Sequence, residues 1–245
     1  MLPIRDENPT LHAPLVTYGL IAANLAVWAM VQGMGAEPAL SRSVCSLGLI
    51  PAEFLGRLSP GTPIPLGPDM VCSVHQPGHL LAPLTSMFMH GSWFHVLGNM
   101  WFLHVFGNNV EDVMGGFRFL VFYVLAGLAA AGAQVFAGPG STIPMVGASG
   151  AIGGVMGSYV LLYPRAGIRT FVFLGFWAQM MVLPAFVMLG YWFLIQLASG
   201  ALSPGEGGGV AFWAHVGGFL AGLLLTPVFR NSRLLAEHRA ATGIS

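Results

Sequence analysis

The chain has 245 residues, of which 55% are hydrophobic and 7% charged, and its nine arginines are balanced by nine carboxylates to zero net charge. An ordinary soluble domain carries roughly 25% charged residues, so this composition describes a membrane protein. With no basic stripe in its polar segments, nucleic acid is excluded as an expected partner.

Apolar runs predict an all-α polytopic bundle with spans at 14–33, 92–110, 118–137, 149–164, 171–198 and 211–229, each near the roughly 20 residues that cross hydrocarbon. The fourth is short and the fifth long. The first follows a mixed-charge start (Arg5, Asp6, Glu7) and is too long for a cleaved signal peptide, so it is expected to be retained. One membrane domain over 1–245 is expected, with its core at 14–230 and short termini. There is no lysine. With the N-terminus inside, seven arginines (5, 118, 165, 169, 230, 233, 239) lie on the cytoplasmic side and two (42, 57) outside, as the positive-inside tendency favours.

The connection 34–91 is too long to lack structure of its own. Its stretch HLLAPLTSMFMH (79–90) predicts one or more short helices. Cys45 and Cys72 both fall in this connection, where a disulfide is chemically permitted and two unpaired thiols are equally compatible with the sequence.

Span two begins with HGSWFHVLGNMW (90–101). His95 and Asn99 are four apart and share a helical face; His90 stands just before the helix, and His104 lies off that face. GNNVEDVMGG (107–116) follows, with Gly107, Glu111 and Gly115 at spacings of four. Glu111 is expected to tie the helix end to neighbouring backbone or to Arg118.

Span four opens on GASG (147–150), with Ser149 at its mouth. Span six carries His215 in FWAHVGG (212–218). Ser149, Gly153 and Gly157 repeat at four, and span six offers Gly218 and Gly222. Small residues at this spacing let transmembrane backbones approach closely, so spans four and six are the predicted pair, which would bring Ser149 to His215. An activated serine needs a base within reach and donors aimed at the oxyanion. His215 suits the first role, and Asn99, His95 and the Ser149 N–H the second. No metal or other cofactor is expected: His90 and His95 are five apart, not in the HExxH arrangement. The segment 199–210, rich in glycine, reads as a hinge or lid.

These four separated motifs resemble the rhomboid intramembrane serine proteases of the six-helix prokaryotic type: HGSWFHVLGNMW, GNNVEDVMG as GxxxExxxG, VGASGAIGGVMGSY (146–159) and AFWAHVGGFLAG (211–222). The resemblance implies a six-helix bundle with a long external first loop, and endopeptidase activity on transmembrane segments of protein substrates within the lipid. It further implies Ser149 as nucleophile, His215 as its one partner, His95 and Asn99 lining the oxyanion region, Gly147 two before the serine, and His90 in support. It places the chain in a bacterial inner membrane, with both termini cytoplasmic and the site opening to the external or periplasmic side. A relative that has lost activity and serves as a membrane-protein binding or adaptor protein is the alternative it allows. Two features depart from the family: the first loop lacks its Trp-Arg pair, and Gly153 stands where some members stack a tyrosine on the histidine.

Overall fold

A computed structural model of the protein describes residues 1–65, 71–73, 79–175, 177–202 and 210–244. In chain order, strand β1 (Leu2–Asp6) precedes helix α1 (Leu15–Met30). The long connection then holds α2 (Ala39–Leu47), α3 (Pro51–Phe54), β2 (Pro63–Pro65), β3 (Val71–Ser73) and α4 (Ala82–Thr85), the last running into a 3-10 turn at Ser86–Phe88. Helices α5 (Trp93–Met114), α6 (Gly116–Ala137) and α7 (Ser149–Leu162) follow, then a hairpin of β4 (Gly167–Leu174) and β5 (Trp177–Pro184), then α8 (Ala185–Leu202), α9 (Phe212–Phe229) and α10 (Ser232–Thr242).

Among the described residues, three helices are long and apolar enough to cross a membrane: α6, α8 and α9. Helices α1 and α7 are apolar but shorter. The 22-residue α5 is long enough, but His95, Asn99, Asn109, Glu111 and Asp112 lower its apolar character.

Helix α7 is the axis of the bundle, with 11 of its 14 residues buried. Its glycines explain the burial. A Cβ on Gly218 would collide with the Gly150 carbonyl, one on Gly222 with the Gly154 carbonyl, and one on Gly157 with the Phe219 carbonyl of α9. On another side, Gly150 and Gly154 meet Ala130 and Ala126 of α6, where a Cβ would come within 2.6 and 2.5 Å. The α7 and α9 backbones therefore lie in direct contact, with dispersion and close approach replacing the hydrophobic drive that lipid does not supply.

Two carboxylates fasten the start of the chain. Glu111 accepts from the N–H groups of Val16 (2.9 Å) and Thr17 (2.7 Å) and from the Thr17 hydroxyl (2.7 Å). It thus satisfies the first orphan donors of α1 and favours the positive end of that helix. This is the backbone tie, not an Arg118 pair, that Glu111 makes. Asp112 takes the amides of Leu11 and His12 at 3.0 and 2.9 Å. A Cβ on Gly107 would come within 3.1 Å of Thr17, so its absence allows α1 close to α5, and Gly115 (φ 79°) turns α5 directly into α6.

The fold departs from the all-α expectation. β1, β4 and β5 form an antiparallel sheet in that order, and β2 pairs with β3. The expected helical span 171–198 is a hairpin as far as Pro184, and α8 begins only at Ala185. The reason is local: Ile168, Thr170 and Val172 are buried while Arg169, Phe171 and Phe173 are exposed, a period of two. Gly175 at φ 66° makes the turn. The stretch 79–90 forms the short helices its pattern predicts, and Cys45 and Cys72 are joined in a disulfide. Of the expected lid at 199–210, the first four residues complete α8, and 203–209 lie outside the described residues.

Candidate active site

The segment leading to α7 is held by the long connection. Leu49 and Met145 exchange backbone hydrogen bonds (3.0 and 2.8 Å), and the Gly147 N–H donates to Ser86 O at 2.9 Å. Gly147 has φ 124°, and a Cβ there would stand 2.7 Å from His95 Nε2, so conformation and space both require glycine. The first helical bond of α7 runs from Ile152 N–H to Ala148 O. The amides of residues 149–151 therefore lie ahead of the helical ladder, where the helix field favours negative charge.

Ser149 Oγ lies 2.8 Å from His215 Nε2. The close α7–α9 packing sets this distance, and Gly153, where a Cβ would be 3.0 Å from the His215 carbonyl, keeps the histidine turn of α9 against α7. At the start of α9, Gln134 of α6 accepts the Ala214 N–H at 3.2 Å.

His95 and Asn99 come from α5 and line the same cavity, of about 320 Å³, as Ser149 and His215. Phe94, Phe102, Ile152, Met156 and Trp192 give it apolar walls. The Gly91 N–H donates to His95 Nδ1 at 3.3 Å, which leaves the hydrogen of a neutral imidazole on Nε2, the nitrogen beside Gly147. Asn99 Nδ2 has no hydrogen-bond partner among the described residues. His95 Nε2 thus stands beside the segment that carries Ser149, and Asn99 lines the same cavity.

His90 is fully buried behind His95, the rings 5.1 Å apart and edge to face. Burial, reinforced by His95, holds its pKa down to about 3, so the ring is neutral. Its backbone is clamped by Gln32, whose amide donates to His90 O and accepts from His90 N–H, both at 2.8 Å. His104 lies apart from the cavity, stacked on Tyr18.

Three contributors escaped the sequence reading. Gln32 is one. The other two are on α8: Gln196 Oε1 lies 2.7 Å from His215 Nδ1, and the Trp192 ring stands 5.7 Å from the His215 ring. A lone amide in an apolar helix is the signal that could have marked Gln196, because such a group in hydrocarbon is costly. No cluster of three or more His, Cys, Asp or Glu able to hold a metal occurs among the described residues.

Comparison with known proteins agrees with this architecture. A curated relative, Rhomboid-like protein 11, chloroplastic, of Arabidopsis thaliana, is 29% identical over 146 residues, which cover 58% of this chain and 50% of the relative. The chain thus spans about half the length of that protein. The family model described as Rhomboid domain matches residues 77–232, more than half of the chain and the whole stretch from α4 to the start of α10. The chain belongs to the rhomboid family.

Proposed function

We propose that the protein is an intramembrane serine endopeptidase that hydrolyses peptide bonds in or near the transmembrane segments of other membrane proteins. The observation that carries this reading is the 2.8 Å contact between Ser149 Oγ and His215 Nε2 in a cavity that also holds His95 and Asn99. His215 Nε2 takes the hydroxyl proton as Ser149 Oγ bonds to the substrate carbonyl carbon. The oxyanion forms against the Ser149 N–H, Asn99 Nδ2 and His95 Nε2–H. The imidazolium returns the proton to the departing amine as the C–N bond breaks, and water then releases the acyl group by the same route.

In this reading α1, α5, α6, α7, α8 and α9 are six spans with both termini cytoplasmic, the orientation that the arginine placement favours. Ser149 then lies near the external end of α7, and cleavage falls near the external side of the substrate. A helical segment shields its own carbonyls, so the substrate must unwind to be cut. Helix α8 is the natural side of entry, as the least buried of the three long apolar helices among the described residues.

A fluorophosphonate probe tests the reading without a chosen substrate. Mass spectrometry should find the adduct on Ser149, and His215→Ala should suppress it in folded protein. Labelling at another serine, or labelling of Ser149 that is indifferent to His215→Ala, would count against it.

A further inference from the structure

A serine hydroxyl can donate to His215 Nε2 only if that nitrogen carries no hydrogen. A neutral imidazole then has its proton on Nδ1, and a buried N–H needs an acceptor. Among the described residues no carboxylate bonds to Nδ1. The acceptor within reach is Gln196 Oε1, 2.7 Å from Nδ1, on a side chain that is 9% exposed. Four residues earlier on α8, and so on the same helical face, the Trp192 ring lies beside the same imidazole, centroids 5.7 Å apart and planes tilted by 39°. One turn of one helix therefore sets both an amide and an indole beside the imidazole.

We propose that Gln196 is a positioning residue that holds His215 in the tautomer able to accept the Ser149 proton, and that α8 sets the orientation of this ring through Gln196 and Trp192 together. The inference rests on the Ser149–His215 reading above. An amide accepts from Nδ1–H without bringing a charge into an apolar site, where an unpaired carboxylate would be costly. It can do this only from where α8 now stands. If α8 swings aside to admit a substrate, Nδ1 loses its acceptor and the ring its aromatic neighbour. The base is then competent only once α8 has packed back, which ties the chemical step to closure of the entry side.

The test uses the full chain in liposomes. Gln196→Met, close in volume but without an acceptor oxygen, should lower kcat by about 100-fold through misplacement of the base, while KM stays within about twofold. Gln196→Glu, which restores an acceptor at the same reach, should recover most of the lost kcat. The 15N spectrum of labelled histidine, with His215 assigned by its disappearance in His215→Ala, reads the tautomer independently of turnover. Wild type should show hydrogen on Nδ1, and Gln196→Met should lose that preference in protein that remains folded.

Wild-type kcat together with a wild-type 15N pattern in Gln196→Met would overturn the proposal while leaving the protease reading intact. Absence of Ser149-dependent cleavage in wild type would instead strike the protease reading, and the 15N comparison would still decide the role of Gln196. A Gln196→Glu variant that folds yet stays as slow as Gln196→Met would also overturn it.

Discussion

Glu111 shows how one buried side chain can decide whether a helix starts in the right place. Its carboxylate satisfies three donors at the head of α1. Glu111→Ala should lower stability by about 3 kcal/mol, the scale of losing charge-assisted bonds to buried donors, while the fraction that folds retains wild-type kcat. Parallel unfolding curves and turnover per folded molecule check this; an unchanged unfolding curve would contradict it. Asp6 acts in the opposite sense. Burial raises its pKa from 3.8 to about 6, against the opposing pull of the Tyr159 hydroxyl at 2.8 Å. Between these values the folded state binds more protons than the unfolded state, so this contribution to stability is greatest below pH 4 and falls as pH rises to about 6. Asp6→Asn should abolish that decline, and a wild-type midpoint flat from pH 4 to 7 would refute it.

The α7–α9 contact was legible in sequence because small residues at a spacing of four have one main use between apolar helices. Gly222→Ala tests it. The new methyl meets the Gly154 carbonyl, and overpacking of this kind costs about 2–3 kcal/mol. It should also separate Ser149 from His215, so fluorophosphonate labelling should fall together with the unfolding midpoint. Retained midpoint and labelling would mean that the contact yields. The hairpin was not legible in the same way. Residues 171–198 read as one apolar span because hydrophobicity alone does not separate a strand from a helix; the alternation Ile168, Thr170, Val172 carried the distinction. β1 was missed for a different reason: five residues gain a strand only through pairing with β4, a partner more than 160 positions away. Gln196 and Trp192 were hidden because their relation to His215 depends on where α8 starts, and the hairpin moves that start to Ala185.

At the scale of the whole molecule, the connection 34–91 works as a brace for the site. It supplies Ser86 and Leu49 to the segment that leads into Ser149, and the Cys45–Cys72 disulfide ties α2 to β3 across a separation of 27 residues. Closing a loop of that size is worth about 3–4 kcal/mol in the chain-entropy account. Cys45→Ser with Cys72→Ser should therefore speed proteolytic cutting between these positions, and reductant should do the same to wild type; equal cutting rates would contradict the bracing role. The sequence allowed the bridge without deciding it, since pairing depends on where β3 folds back. The polar constellation was read more fully, because Ser149, His215, His95 and Asn99 each stand out in apolar surroundings, and the fold brings all four to one cavity.

The most direct measurement is cleavage of a single-span model substrate by purified protein in liposomes, comparing wild type with Ser149→Ala and His215→Ala at matched folded concentration. The account predicts cleavage near the external end of the substrate segment by wild type, and its loss in both variants. Cleavage that survives Ser149→Ala would contradict the serine mechanism. No cleavage by wild type across several substrates, with a biological effect that persists in Ser149→Ala, would contradict the enzyme reading and leave a rhomboid-family binding protein.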